Sequence, residues 1–278
     1  MIDISKIDYS MLDRPEILNF LFHPRAEAAR GKTREASAPC SITDHMIPVA
    51  ENVSIGARFH MTSPEAPNIL FFHGNGEIVA DYDDLGPFYN RMGINFLPVD
   101  YRGYGRSTGT PTVTAVMQDA HRVFDFATQW LLSEKCTGTL IVMGRSLGSA
   151  PALELACCRM PDMDALIIES GFARALPLLR LLGIDPDALG LKERDLFENE
   201  SKIRKFDKPT LIIHAQFDHI IPFADGQALY DASPALEKTL LTIPGANHND
   251  IFARGMSQYM SAIRTLADKL GPCGAHVP

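Results

Sequence analysis

The fold of this 278-residue chain is decided by residues 140–150, which read LIVMGRSLGSA. The first four residues form a short apolar run typical of a buried strand, and residues 150–159 have the pattern of a helix. Glycines two positions before and two positions after Ser146 allow a sharp turn that lifts the serine hydroxyl clear of the sheet. This pattern predicts a nucleophilic serine at a strand-to-helix turn.

Short apolar runs alternate with longer amphipathic stretches along the rest of the chain. Strands that are apolar throughout are typical of a parallel sheet covered on both faces, so we predict an α/β fold. Its central sheet should have about eight mostly parallel strands, with helices on both faces and an antiparallel hairpin at 45–50 and 54–60. The other predicted strands are Asn68–His73, Ile94–Val99, Thr139–Met143, Ala165–Glu169, Thr210–His214 and Lys238–Ile243. The predicted helices are Pro15–Leu21, Glu77–Met92, Thr112–Ser133, Leu147–Arg159, Phe223–Ala232 and Asp250–Leu270.

The chain is predicted to form a single domain over residues 1–278, with residues 1–44 as an N-terminal extension. Residues 171–209 interrupt the alternation, because 39 residues is long for a crossover between two strands. Either a small helical lid or a crossover with one extra helix would account for this segment. Its apolar run Leu176–Leu182 could form an acyl pocket or lid, pack in the core, or serve as the interface of a homo-oligomer.

A serine hydroxyl needs a base and an oriented acid to act as a nucleophile. These partners are expected in the order serine, acid, histidine, each just past a strand. Asp218 follows the predicted strand that ends at His214, and His248 follows the strand that ends at Ile243. We therefore predict a Ser146–His248–Asp218 triad. The alternatives are Glu169 as the acid and His219 as the base.

An oxyanion intermediate needs two preorganised N–H donors. The backbone N–H of Leu147, directly after the serine, is the expected first donor. The second should come from the loop after the strand that ends at His73, where Asn75 is preferred and Gly76 is the alternative. His73 is expected to order this loop rather than transfer a proton. Nothing in this chemistry requires a metal or an organic cofactor.

The composition indicates which classes of partner are excluded and in which cellular compartment the protein is expected. A net charge of −8 argues against nucleic acid as a partner. No apolar run approaches the length of about 20 residues that a membrane span needs, and Asp3 and Asp8 lie where a secretory signal would be basic. An odd number of cysteines without metal-ligand spacing argues against a disulfide framework and a structural zinc site. We expect a reducing, cytoplasmic location. The cysteines are Cys40, Cys136, Cys157, Cys158 and Cys273.

Five segments together resemble the signature segments of the α/β-hydrolase superfamily. They are FFHGNGE (71–77), DYRGYGRSTG (100–109), GRSLGSAPA (144–152), HAQFDHIIP (214–222) and PGANHND (244–250). The similarity covers residues 68–270 and is strongest to serine hydrolases that include protein depalmitoylases and prolyl-oligopeptidase-like catalytic domains. It implies Ser146 as nucleophile, His248 as base, Asp218 as its orienting acid, and Asn75 with Leu147 as the oxyanion hole. From these residues we expect neither the large cap or propeller of those peptidases nor an N-terminal cysteine cluster for membrane anchoring.

The predicted function is therefore a serine hydrolase that cleaves carboxylic ester or thioester bonds through an acyl-enzyme on Ser146. Its substrate would be a small molecule or an acyl compound. A peptidase or amidase on the same fold is one alternative, and a non-catalytic binding protein that kept the scaffold is another.

Overall fold

The computed structural model describes residues 2–28 and 41–271. Cys40, Cys273 and part of the predicted N-terminal extension lie outside the described residues. Eight strands form one open sheet in the order β1-β2-β4-β3-β5-β6-β7-β8, with β1, β2 and β4 paired antiparallel and the remaining pairs parallel. The strands are β1 (Ser41–Ala50), β2 (Val53–Met61), β3 (Asn68–Phe72), β4 (Asn95–Val99), β5 (Leu140–Arg145), β6 (Ala165–Glu169), β7 (Thr210–Ala215) and β8 (Lys238–Ile243). The predicted mostly parallel α/β sheet is confirmed.

The central strands are apolar throughout because both faces of the sheet are covered. Every residue of β3, β4 and β6 is buried, and separate apolar cores lie on the two faces. The helices that cover them are α1 (Pro15–Leu21), α2 (Gly86–Arg91), α3 (Val113–Ser133), α4 (Ser149–Cys158), α5 (Ala175–Leu181), α6 (Asn199–Ile203), α7 (Phe223–Ala232) and α8 (Ile251–Leu270). None of the described helices is long and apolar enough to cross a bilayer.

The predicted helix Glu77–Met92 is wrong as a continuous element. The structure has a 3-10 turn at Val79–Tyr82, and α2 begins only at Gly86. Pro87 explains the break, because its ring excludes the preceding helical turn and it has no N–H to donate, whereas both properties suit the first turn of a new helix. The N–H of Val79 is bound instead by the Asp100 carboxylate at 2.9 Å.

The order of the strands fixes where a site can form. After β3 the chain adds β4 on one side, and it then crosses to place β5 on the other side of β3. Loops that leave β3 and β5 in opposite directions open a crevice at the carboxyl ends of these strands, which is where open α/β sheets bind ligands. Ser146 follows β5 and Asn75 follows β3, so both lie at this crevice.

Residues 171–209 connect β6 to β7 through two short helices. Helix α6 packs against α4 on one face of the sheet, in the place of an ordinary crossover helix. Helix α5 lies over the crevice. Leu178 of this helix and Leu182, the residue directly after it, line the cavity that contains Ser146. The segment thus combines a crossover with one additional helix above the crevice.

Candidate active site

Ser146 lies in a strained turn that only small neighbours permit. Its φ is +51°, a left-handed value that non-glycine residues rarely adopt. A Cβ at Gly144 would lie 2.1 Å from the carbonyl oxygen of Gly148, and a Cβ at Gly148 would lie 2.1 Å from the carbonyl oxygen of Phe72. Glycine is therefore required at both positions for the turn to pack against β3 and α4. This is the sharp turn that the sequence predicts.

The structure brings Ser146, His248 and Asp218 into one chain of hydrogen bonds. His248 Nε2 lies 3.0 Å from Ser146 Oγ, and His248 Nδ1 lies 2.8 Å from Asp218 Oδ2. All three residues are buried. When Nδ1 carries the ring proton and donates it to Asp218, Nε2 is left as an acceptor for the serine hydroxyl. The geometry matches that of a nucleophile, a base and an orienting acid.

Asp218 is held as a carboxylate by several donors. Its Oδ1 accepts hydrogen bonds from the backbone N–H groups of Ile220 at 3.0 Å and Ile221 at 2.8 Å. Burial opposes ionisation, but the His248 hydrogen bond and charge interaction together with these N–H donors outweigh it and lower the pKa of Asp218. The charge needed to orient an imidazole is therefore present at neutral pH.

The two alternative residues are engaged or placed elsewhere. Glu169, the alternative acid, accepts hydrogen bonds from Arg145 Nη1 at 3.3 Å and from the hydroxyl of Tyr259 at 2.7 Å. Burial raises its pKa. His219, the alternative base, is exposed on the loop after β7. The structure thus places Asp218 rather than Glu169 against His248.

The two predicted oxyanion donors face the same cavity as Ser146. Leu147 belongs to the first helical turn after the nucleophile, where backbone N–H groups have no partner within the helix. The Asn75 side chain is fixed, because its Oδ1 accepts from the backbone N–H of His23 at 2.9 Å and from the hydroxyl of Tyr104 at 2.7 Å. The alternative donor Gly76 has a φ of +75° and its carbonyl accepts from Arg25 at 2.7 Å.

His73 orders the loop after β3, which carries the predicted oxyanion donor Asn75. It is completely buried; its Nδ1 lies 2.8 Å from the carbonyl oxygen of Gly74, and its Nε2 lies 3.2 Å from Asp100 Oδ1. Tyr101 donates its hydroxyl to the His73 carbonyl at 2.6 Å. These contacts keep His73 within the scaffold, away from the hydrogen bonds of Ser146.

A cavity of about 280 Å³ opens directly above Ser146. Its polar side includes Asn75, Ser146 and His248, and its remaining wall is largely apolar. The apolar wall comes from three parts of the chain that are distant in sequence, namely Phe20 and Leu21, Phe172 with Leu178 and Leu182, and Ile220 with Ile221. Sequence reasoning missed the contribution of α1, because nothing in a short N-terminal helix shows where it packs.

One group within residues 2–28 and 41–271 could hold a metal ion. The ligand atoms of His121, Glu154 and Cys158 lie within 4.8 Å of one another near the end of α4 that is remote from Ser146. Glu154 already accepts the Lys202 ammonium at 2.7 Å and the Tyr9 hydroxyl at 2.9 Å. This ion pair neutralises the carboxylate without a metal and joins the N-terminal segment to α6.

Comparisons with known proteins agree with this geometry. The family model described as "Serine aminopeptidase, S33" matches residues 63–182. Alpha/beta hydrolase domain-containing protein 17B of Homo sapiens is 31% identical over 219 residues, which cover 76% of this chain and 69% of the relative. Lysophosphatidylserine lipase ABHD12 of Xenopus tropicalis is 33% identical over 195 residues, which cover 62% of this chain and 48% of that protein. The esterase Pf2001 of Pyrococcus furiosus has a similar fold, with a TM-score of 0.71 at 17% identity over 89% of this chain and 99% of the esterase.

Proposed function

The chain belongs to the α/β-hydrolase superfamily and is an ester-hydrolysing serine hydrolase, and on that premise we propose that Ser146, His248 and Asp218 are its catalytic triad. The observation that carries the proposal is the continuous path from Ser146 Oγ through both nitrogens of His248 to Asp218 Oδ2, at 3.0 and 2.8 Å. The buried serine at the end of β5 is thereby paired with a base whose tautomer is fixed.

In the first half-reaction, Ser146 Oγ attacks the carbonyl carbon of an ester or thioester while its proton passes to His248 Nε2. Asp218 stabilises the imidazolium that forms. The backbone N–H groups of Leu147 and Asn75 bind the developing oxyanion, each contributing about 2.7–4 kcal/mol to lowering the barrier. Collapse of the intermediate expels the alkoxide or thiolate, which takes the proton from His248.

In the second half-reaction, His248 Nε2 removes a proton from water, and the resulting hydroxide attacks the acyl-enzyme. The second tetrahedral intermediate collapses to a carboxylic acid and regenerates the Ser146 hydroxyl. All proton transfers use the same imidazole, so the chain's own residues complete the cycle.

The substrate is proposed to be a neutral ester or thioester with an apolar acyl chain. Leu178, Leu182 and Phe172 give the cavity an apolar wall on one side of Ser146. One of the relatives is named as a lipase for lysophosphatidylserine, and a structural neighbour is named as an esterase. An acyl chain against this wall would gain about 0.8 kcal/mol for each methylene buried.

An aminopeptidase activity is less well supported, although the matching family model carries that description. The ammonium group of a peptide N-terminus would need an unengaged carboxylate in the cavity. Of the described carboxylates, only Glu77 lines the cavity, and its oxygens already accept hydrogen bonds from Arg145, Gly74 and Tyr82. Esters, which carry no such charge, fit the site better.

The test is labelling with a fluorophosphonate probe together with hydrolysis of p-nitrophenyl esters of increasing chain length. The wild type should be labelled and should turn over these esters, and Ser146→Ala should do neither. Ser170→Ala is the matched control, because Ser170 also has a left-handed φ, +44°, at the end of a parallel strand. Its Oγ has no hydrogen-bond partner within the described part of the chain. Absence of labelling in the folded wild type would favour a non-catalytic binding protein.

We further propose that the enzyme works in the reducing environment of the cytoplasm, as the cysteine content predicts. Cys136, Cys157 and Cys158 are free thiols, which supports this location. Cell fractionation with antibody detection would test it.

The predicted homo-oligomer is a separate proposal, with Leu181 as its apolar contact since 55% of this side chain is exposed. Size-exclusion chromatography would decide between monomer and dimer.

A further inference from the structure

Arg145, the residue before the nucleophile, contacts three separate elements of the active site. Its Nε donates to Glu77 Oε1 at 2.8 Å, in the loop after β3. Its Nη1 donates to Glu169 Oε1 at 3.3 Å, at the end of β6, and its Nη2 donates to the carbonyl oxygen of His248 at 3.1 Å, in the loop after β8. The guanidinium thus joins the strand that carries Ser146 to three neighbouring segments.

The contact with Glu77 reaches the oxyanion loop. Glu77 Oε2 accepts the backbone N–H of Gly74 at 2.7 Å and the hydroxyl of Tyr82 at 2.6 Å. Gly74 is the residue directly before Asn75, the proposed oxyanion donor. Displacement of the Glu77 carboxylate would therefore release the backbone that places the Asn75 N–H.

The contact with His248 reaches the base. Ser146 is bonded to His248 Nε2, and the adjacent Arg145 is bonded to the His248 backbone carbonyl. The turn that carries Ser146 and the loop that carries His248 are thus joined by two hydrogen bonds, one from the serine hydroxyl and one from the guanidinium. A planar guanidinium, whose five donors are spread over three nitrogens in a fixed fork, suits this arrangement, whereas the three donors of a lysine ammonium all lie on one nitrogen.

The charges explain why an arginine is required in the interior. The Arg145 side chain is 11% exposed, and those of Glu77 and Glu169 are 25% and 5% exposed. Burial opposes the charge on Arg145, but the two carboxylates raise its pKa further above the ordinary range. Burial also opposes the charge on Glu77, and Arg145 with the surrounding donors lowers its pKa. Without the guanidinium, the carboxyl groups of Glu77 and Glu169 would share a mostly buried site with no cation between them.

The geometry points to Arg145 as a positioning residue for the proposed triad, one that holds the oxyanion loop and the histidine loop in register with Ser146. This inference rests on the proposed function. It adds that the residue between Gly144 and Ser146 in the turn sets the catalytic geometry through its side chain. It also gives Glu169, the alternative acid, a role through Arg145.

The test compares Arg145→Met and Arg145→Lys with Arg102→Met. Arg102 is a matched control, since it makes a bidentate pair with Asp119 at 2.6 and 2.8 Å and, among the described residues, forms no hydrogen bond or ion pair with the proposed triad. Rates of p-nitrophenyl ester hydrolysis are divided by the concentration of sites that a fluorophosphonate titrates, so that unfolded protein does not count. Arg145→Met should lower kcat about 10²-fold, the scale of a displacement of about 1 Å, with KM nearly unchanged.

A second readout separates positioning from folding. Among the described residues, the charged or titratable groups around His248 are Asp218, His214, Glu169 and Arg145. Removal of the Arg145 charge leaves the carboxylates to stabilise the imidazolium, so the acid limb of the kcat/KM profile should move to higher pH. Arg145→Lys keeps the charge, so its acid limb should stay near that of the wild type while its kcat falls by less than in Arg145→Met.

The outcomes are distinct. A wild-type kcat per titrated site and an unmoved acid limb in Arg145→Met would overturn the positioning role, as would equal losses in Arg102→Met. If Arg145→Met does not fold, a wild-type kcat in Arg145→Lys has the same force. Failure of the proposed function shows differently, as ester hydrolysis that survives in Ser146→Ala.

Discussion

Two buried arginines lie among carboxylates in this molecule, one at the crevice and one at the edge of the sheet. Arg145 binds Glu77, Glu169 and the carbonyl of His248. Arg58, on β2, binds Asp44 at 2.7 Å, Asp83 at 2.6 Å and Glu27 at 3.2 Å. The ion pairs have the same chemistry, and both guanidinium groups are largely buried, at 2% exposed for Arg58 and 11% for Arg145, but the segments that they join differ.

The difference teaches that an ion cluster takes its role from the elements it connects. The Arg58 cluster fastens the N-terminal segment and the hairpin to the loop before α2, none of which contributes a residue of the proposed triad. The Arg145 cluster joins the turn that carries Ser146 to the loops that carry His248 and the proposed oxyanion donor Asn75. Substitutions at the crevice should therefore change catalysis more than stability, and substitutions at the edge should do the reverse.

The largest effect is expected from Asp218→Asn at the crevice. The amide oxygen would stay with the N–H groups of Ile220 and Ile221, so its NH₂ would face His248 Nδ1. The imidazole would then carry its proton on Nε2, where it cannot accept one from Ser146. We expect kcat to fall about 10⁴-fold while circular dichroism shows an unchanged fold.

The matched control for Asp218→Asn is Asp225→Asn. Asp225 also accepts two backbone N–H groups, those of Ala173 and Arg174, but forms no hydrogen bond with a histidine within the described part of the chain. It should retain the wild-type kcat. Equal losses in both variants would show that the carboxylate acts through loop structure and would remove the contrast between crevice and edge.

The second effect is expected at the edge, in Arg58→Met. Loss of the guanidinium leaves Asp44, Asp83 and Glu27 facing one another without this cation. Breaking a buried ion pair costs about 3–5 kcal/mol, and the partial exposure of Asp44 and Asp83 places this variant near 3 kcal/mol. Urea denaturation measures the loss, and kcat per titrated site should match that of the wild type. A fall in kcat like that of Arg145→Met would contradict the division between the two regions.

Much of the crevice could be predicted from the sequence because its parts are local. Buried parallel strands appear as apolar runs, so the strand ends, and with them Ser146, Asp218 and His248, could be located within a residue or two. The glycines at 144 and 148 indicate that two backbone segments pass close to each other. The structure confirms this, because a Cβ added at either position would lie 2.1 Å from a backbone carbonyl oxygen. These signals are short-range, and single-sequence reasoning detects them.

The partners of the arginines could not be predicted in the same way. Arg145 and Glu77 are 68 residues apart, and Arg58 and Glu27 are 31 residues apart. Neither pairing leaves a pattern in the sequence, since charged residues are mostly solvated and their contacts depend on the packing of whole elements. The placement of Phe20 at the cavity and the break at Pro87 likewise depend on tertiary packing.

Acid should destabilise the crevice through Asp218 and Glu77. Their folded-state pKa values lie below the ordinary values of 3.8 and 4.5. The two carboxylates therefore contribute their full stabilisation at pH values above their ordinary, unfolded-state pKa. This stabilisation is lost as the pH falls through their lowered, folded-state pKa. The unfolding free energy from urea titrations at about pH 3 to 7 should decline below about pH 4.5, by at most about 1.4 kcal/mol per pH unit for each group. Asp218→Asn should show a shallower decline, and an identical slope would count against this account.

The smallest effect is expected at the outer wall of the crevice, in Leu182→Ala. Leu182 lines the cavity, whereas its neighbour Leu181 is exposed and does not. Shortening Leu182 gives room for additional methylenes, each worth about 0.8 kcal/mol, so kcat/KM for the longer of two p-nitrophenyl esters should rise about fourfold relative to the shorter. Leu181→Ala is the control and should leave the ratio unchanged. An equal change in both variants would mean that the substitutions alter the position of α5 above the crevice. Leu182 would then have a structural role, as the edge residues do, and would not contact the acyl chain.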